Sequence, residues 1–113
     1  MTSGEPLAAR SCLPCRGGVA PLAPEEAERF RVETPDWSIA ADGTRLDRHF
    51  AFKTYGQALD LVQRISALAE AEGHHPDIRF GWGYCDVSLQ THVIGGLHLN
   101  DFILAAKIDR LTA

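Results

Sequence analysis

Two stretches of alternating polar and apolar residues, 44–53 and 84–92, stand on either side of one long run of helical spacing, and that order leaves the chain few folds to choose from. In the first stretch Leu46, Phe50 and Phe52 share one face while Asp47, His49 and Ala51 share the other, as in a half-buried strand. Arg48 interrupts the apolar face, and His49 reads as a solvent-facing strand residue. Trp37 to Ala41, joined to this strand through Asp42-Gly43, predicts a hairpin, because that dipeptide tolerates the positive φ angles of a tight primed turn. Thr54 then caps a helix in which Tyr55, Ala58, Leu59, Val62, Ile65 and Ala69 form the apolar stripe, and Gly73 ends it. The stripe is assigned to packing. Asp77 to Trp82 and Tyr84 to His92 predict a second strand pair, with Val87, Leu89 and Thr91 on one face and Asp86, Ser88, Gln90 and His92 on the other.

The flanks complete the order. Pro24 with Glu25, Glu26 and Glu28 opens a short helix to about Glu33. A last helix runs from Asp101 to Leu111, with Asn100 or His98 as its cap. The sum, α-β-β-α-β-β-α, predicts an α+β fold in which helices pack on one face of a four-stranded antiparallel sheet. Two sheet edges and one face are then left uncovered, so pairing with a second copy, as a homo-oligomer, is expected.

A chain of 113 residues fits one domain, with residues 1–23, rich in Gly, Pro, Ala and Ser, as an irregular arm ahead of a domain over 24–113. The formal net charge of -4 gives no basic footprint, which argues against nucleic acid or an anionic membrane as partner. No apolar run is long enough for a bilayer and residues 1–10 lack the pattern of a signal peptide, so a cytoplasmic protein is expected. The odd cysteine count, with Cys12 and Cys15 as a CxxC and Cys85 apart, suits a reducing compartment rather than a disulfide framework.

The chemistry concentrates in histidine. His74-His75-Pro76 follows the long helix, and Pro76 forces His75 out of helical geometry, so the two rings point differently. Glu70 lies one turn before His74. His92, before the Gly95-Gly96 break, can reach a cleft at the sheet margin, so three imidazoles can converge. Such a cluster suits proton transfer near neutrality, since an unperturbed imidazole titrates at about pH 6.5. On spacing alone the blander reading stays open, in which His74 and His75 stabilise a helix end and His92 is a hydrogen-bonded strand residue. Zinc is a weaker rival, because adjacent histidines diverge and the CxxC has no second ligand pair. The glycine pairs lack phosphate-loop context, Ser66 and Ser88 lack a nucleophile elbow, and Cys85 lies within a strand, so neither nucleotide binding nor covalent catalysis is indicated. Trp37 is either ordinary core or a surface on which a planar heterocycle stacks.

The set Glu70-x-x-x-His74-His75-Pro76-Asp77, Thr91-His92-x-x-Gly95-Gly96-Leu97 and Asn100-Asp101-Phe102 resembles the pterin-4a-carbinolamine dehydratases, and the resemblance runs from about Cys12 to the C-terminus. It implies removal of water from a 4a-hydroxytetrahydropterin to give the quinonoid dihydropterin, in recycling after aromatic amino acid hydroxylation. It further implies that reduced pterin is the substrate, that no metal or other cofactor takes part, and that subunits pair into homodimers or homotetramers, with an aromatic amino acid hydroxylase as a partner enzyme. On this resemblance His74 and His92 are the acid/base groups, His75 positions the pterin, Glu70 gives polar support, and Trp37, Pro76 and Thr91 line the pocket. Gly73 stands where many relatives carry Asp or Asn, and His98 replaces the usual capping Thr. The opening Cys12-Leu13-Pro14-Cys15-Arg16-Gly17-Gly18 resembles one bacterial and plant branch, with no physical role evident from sequence. The same fold also serves without catalysis, as a transcriptional dimerisation cofactor and as a Rubisco assembly factor of carboxysome operons.

Overall fold

A computed structural model describes residues 5–13 and 17–112. The described chain forms helix α1 (Pro24–Arg31), strands β1 (Ser38–Ile39) and β2 (Leu46–Ala51), helix α2 (Tyr55–Glu72), strands β3 (Asp77–Gly81) and β4 (Tyr84–Leu89), and helix α3 (Leu99–Leu111). Short 3-10 turns lie at Leu7–Ala9 and His92–Ile94. The sheet is antiparallel throughout, in the order β1-β2-β4-β3, so each local hairpin is closed and β4 is drawn in against β2.

The alternation decides which side of the sheet meets the helices. Leu46, Phe50, Cys85, Val87 and Leu89 are buried, and they enclose a core with Ile65, Phe102, Leu104 and Ile108. On the other side the rows Asp77, Ser88, Asp47 and Arg79, Asp86, His49 run across three strands and pair with one another. Ser88 Oγ donates to Asp47 at 2.6 Å and His49 binds Asp86, so this face satisfies its own polar groups. His49 is thus the exposed strand residue expected. Arg48, which broke the apolar pattern, points inward over the Phe50 ring at 4.2 Å and pairs with Asp109 of α3.

Three local expectations change. The first hairpin does not turn on a two-residue primed turn, since type I′ needs positive φ at both Asp42 and Gly43 and type II′ needs it at Asp42, whereas only Gly43 (φ 76°) has it. A wider turn closes instead, with Gly43 N–H donating to Ala40 O at 2.8 Å and Asp42 accepting from the Thr44 hydroxyl at 2.7 Å. On α2 the buried stripe is Ala58, Leu61, Ile65 and Ala69, rotated so that Leu61 is inside while Tyr55 and Leu59 are exposed. The last strand stops at Leu89, and Thr91 forms only an isolated bridge to Gly96, so His92 sits on a 3-10 turn rather than at a strand end.

The N-terminal arm is packed down. Leu7 is buried in the core beside α3, and Leu22 N–H donates to Leu97 O at 2.9 Å. Cys15 lies outside the described residues, so the CxxC is seen only at Cys12.

Candidate active site

The end of α2 aims the histidine pair. Gly73 adopts the left-handed conformation (φ 69°), and the amides of Gly73 and His74 both donate to Ala69 O. Such a reversal is the αL ending that Gly, and next to it Asn or Asp, accept with least strain. The turn carries His74 toward α3 while Pro76 sends His75 the other way. His74 Nε2 meets Asp101 Oδ1 at 2.6 Å, whereas His75 Nε2 pairs with exposed Glu70. Glu70 therefore supports His75, not the histidine one turn after it.

Asp101 had no role in the sequence reading, and it organises the site. Its side chain is 0% exposed. One oxygen faces His74, and the other accepts from the Thr91 hydroxyl at 2.9 Å and from His98 N–H at 3.0 Å. His98 in turn caps α3, its Nδ1 accepting from Asn100 N–H at 3.1 Å, so histidine does here what threonine was expected to do. That bond requires an unprotonated Nδ1 on His98. A fully satisfied buried carboxylate against His74 Nε2 holds the ring proton on that nitrogen and leaves Nδ1 as the acceptor of the neutral ring. The signal available in the sequence was His98-x-x-Asp101, a cap with its acidic third residue, but nothing in it announces that the acid is buried or what it faces.

His92 reaches the same place from the opposite side. Its Nδ1 is 2.8 Å from Gln90 Nε2, and its Nε2 lies 3.9 Å from Asp77 Oδ2. Gly73, His74, His75, Gln90, Thr91, His92 and Val93 together line one open cavity of about 300 Å³. The three predicted imidazoles and Thr91 are thus brought together. Pro76 and Glu70 flank this lining without belonging to it. Trp37 stands apart from it: the indole is 1% exposed and Nε1 donates to Asp109 Oδ1 at 2.7 Å. A larger concavity of about 760 Å³ lies over the open face of the sheet, but its His49, Asp86, Asp47 and Ser88 are already paired among themselves.

The surroundings of both described thiols favour the protonated form over the nucleophilic thiolate. Burial and the neighbouring Glu72 carboxylate push Cys12 up to about 12, and burial raises Cys85 to about 11. Among the described residues no group of three or more His, Cys, Asp or Glu side chains is arranged to hold a metal ion.

Residues 20–111 match the model of the family described as "Pterin 4 alpha carbinolamine dehydratase". The chain belongs to this family. It is 53% identical over 107 residues to a protein of Methylococcus capsulatus named "Putative pterin-4-alpha-carbinolamine dehydratase", covering 95% of this chain and 94% of that one. A counterpart in Cupriavidus pinatubonensis is 51% identical over 109 residues, covering 96% and 94%. Among solved structures, a transcriptional coactivator/pterin dehydratase from Brucella melitensis shares the fold, with a TM-score of 0.77 at 24% identity over 82% of this chain and 99% of that one. A pterin dehydratase-like protein identified as a RuBisCO assembly factor in the alpha-carboxysome aligns with a TM-score of 0.59 at 28% identity, over 69% of this chain and 90% of that one.

Proposed function

We propose that this protein dehydrates a 4a-hydroxytetrahydropterin to the quinonoid dihydropterin, with His74 and His92 as the acid/base pair. The observation that carries the reading is the single cavity lined by three imidazoles, one of them oriented by a buried carboxylate. In the reaction the C4a–O bond breaks and the hydroxyl leaves as water, taking a proton from an imidazolium. A ring N–H gives its proton to a neutral imidazole, and the electrons of that bond become the new C=N bond. Two histidines in opposite protonation states therefore suffice, and solvent exchange across the open cavity restores them. His74 suits the proton-accepting part, because Asp101 holds Nε2 and faces the positive charge when it forms. His75, steadied by Glu70, positions the flat heterocycle, and Thr91 helps to shape the wall beside it.

Steady-state dehydration of the carbinolamine by His74→Ala and His92→Ala tests the assignment. Each variant is expected to lose about 10²- to 10⁴-fold in kcat. Parental rates in both would end the reading.

The likeness to the RuBisCO assembly factor supports a second reading, a non-catalytic binding protein on the same fold. A purified chain that neither turns over carbinolamine nor binds reduced pterin, but does bind Rubisco, would establish that alternative.

A further inference from the structure

The Cys12-Leu13 stretch is held at two points, each beside a member of the His74–Asp101 pair. Cys12 N–H donates to Glu72 Oε1 at 2.8 Å, and only Gly73 separates Glu72 from His74. Leu13 N–H donates to Asn100 Oδ1 at 2.9 Å while Leu13 O accepts from Asn100 Nδ2 at 2.6 Å, and Asn100 directly precedes Asp101. The Cys12 thiol adds a contact to Asn100 O at 3.6 Å. Two residues of arm backbone thus bridge the last turn of α2 and the first turn of α3, where the imidazole meets its carboxylate.

On the reading of this cavity as an acid/base site, we propose that Glu72 and Asn100 are positioning residues, and that the Cys12–Leu13 backbone is the clasp through which they hold His74 against Asp101. The physical need comes from Gly73. A glycine between helix end and catalytic ring leaves that joint free to swing, where a residue with a side chain would restrict it. The clasp supplies the missing restraint from outside the helix. Asn100 is 2% exposed, so its amide must find partners within the protein, and a peptide group offers donor and acceptor together. Glu72 is anchored on its other side by Lys107 Nζ at 3.1 Å, and the Cys12 amide holds its carboxyl below the usual range, so it stays an ionised acceptor. The arm cannot drift from this position easily, because Leu7 is buried upstream and Leu22 is hydrogen-bonded to Leu97 downstream. This gives part of the opening motif a use in the site without asking its cysteine to react.

Leu13→Pro deletes one clasp N–H and fixes φ at that position, while the exposed side chain it replaces contributes little packing. Leu13→Ala is its control. Glu72→Ala removes the other anchor, and Glu72→Gln retains an acceptor. The readouts are the ¹H and ¹⁵N resonances of the His74 ring in the full-length protein, and kcat and KM for the carbinolamine. Leu13→Pro and Glu72→Ala are expected to lose the protected Nε2 proton of His74 and about tenfold in kcat at unchanged KM, while Leu13→Ala and Glu72→Gln match the parent. Unchanged His74 ring signals in folded Leu13→Pro and Glu72→Ala would overturn the proposal. If the parent shows no dehydration, the functional reading falls, and the ring signals still decide the clasp.

Discussion

Asp101 shows how much a single buried acid can organise. It receives the Thr91 hydroxyl and the His98 amide on one oxygen and faces His74 with the other, so one side chain joins helix α3, the bridge after β4 and the end of α2. Asp101→Asn preserves shape but presents an NH₂ where one of these partners needs an acceptor. The expected result is a fall of about 10² or more in kcat with little change in KM, measured by steady-state dehydration. Asp101→Ala leaves three polar groups short of a partner and is expected to cost about 3 kcal/mol in a urea melt. From the sequence the histidines were legible because imidazole is rare and the Pro76 constraint is local. Asp101 was not, because an acid in a first helical turn has an ordinary explanation in the helix dipole and the cap.

At the next level up, α3 is the element to which everything is tied. Its N-terminus holds the site and the clasp, and near its C-terminus Asp109 accepts from the Trp37 indole and pairs with Arg48 on the inner face of β2. The Arg48 interruption was visible in the strand pattern. Its remedy lay far along the chain on another element, as did the hydrogen bond that settles Trp37 into the core. Asp109→Ala is expected to destabilise the fold by about 2 kcal/mol, read by chemical denaturation, because a largely buried guanidinium and an indole N–H lose their shared acceptor. An Arg48→Met/Asp109→Leu double variant is expected to recover only the part of that loss carried by the guanidinium, since no unpaired charge is then buried while the Trp37 indole N–H still lacks its acceptor.

Among the described residues the sheet keeps one polar face, and its two edge strands, β1 and β3, each pair with a neighbouring strand on one side only. Rows of paired side chains satisfy the face, but an edge has no such recourse, and Trp82 stands 73% exposed at the tip of the β3–β4 hairpin. Association between copies is the economical remedy. Sedimentation equilibrium at micromolar concentration is expected to give a mass that is a multiple of 12.4 kDa, and a monomer mass would withdraw the expectation.

Local rules were enough to read the order of elements, the faces of the strands, the caps at Thr54 and Gly73, and the divergence of the two adjacent histidines, because each rests on residues within a turn or two of one another. They misjudged the stripe of α2, the first hairpin turn and the end of β4, where small energetic preferences yield to packing. The partners of His74, Arg48 and Asn100 lie 27, 61 and 87 positions away in the chain. No periodicity links such pairs, and folding alone brings them within hydrogen-bonding distance.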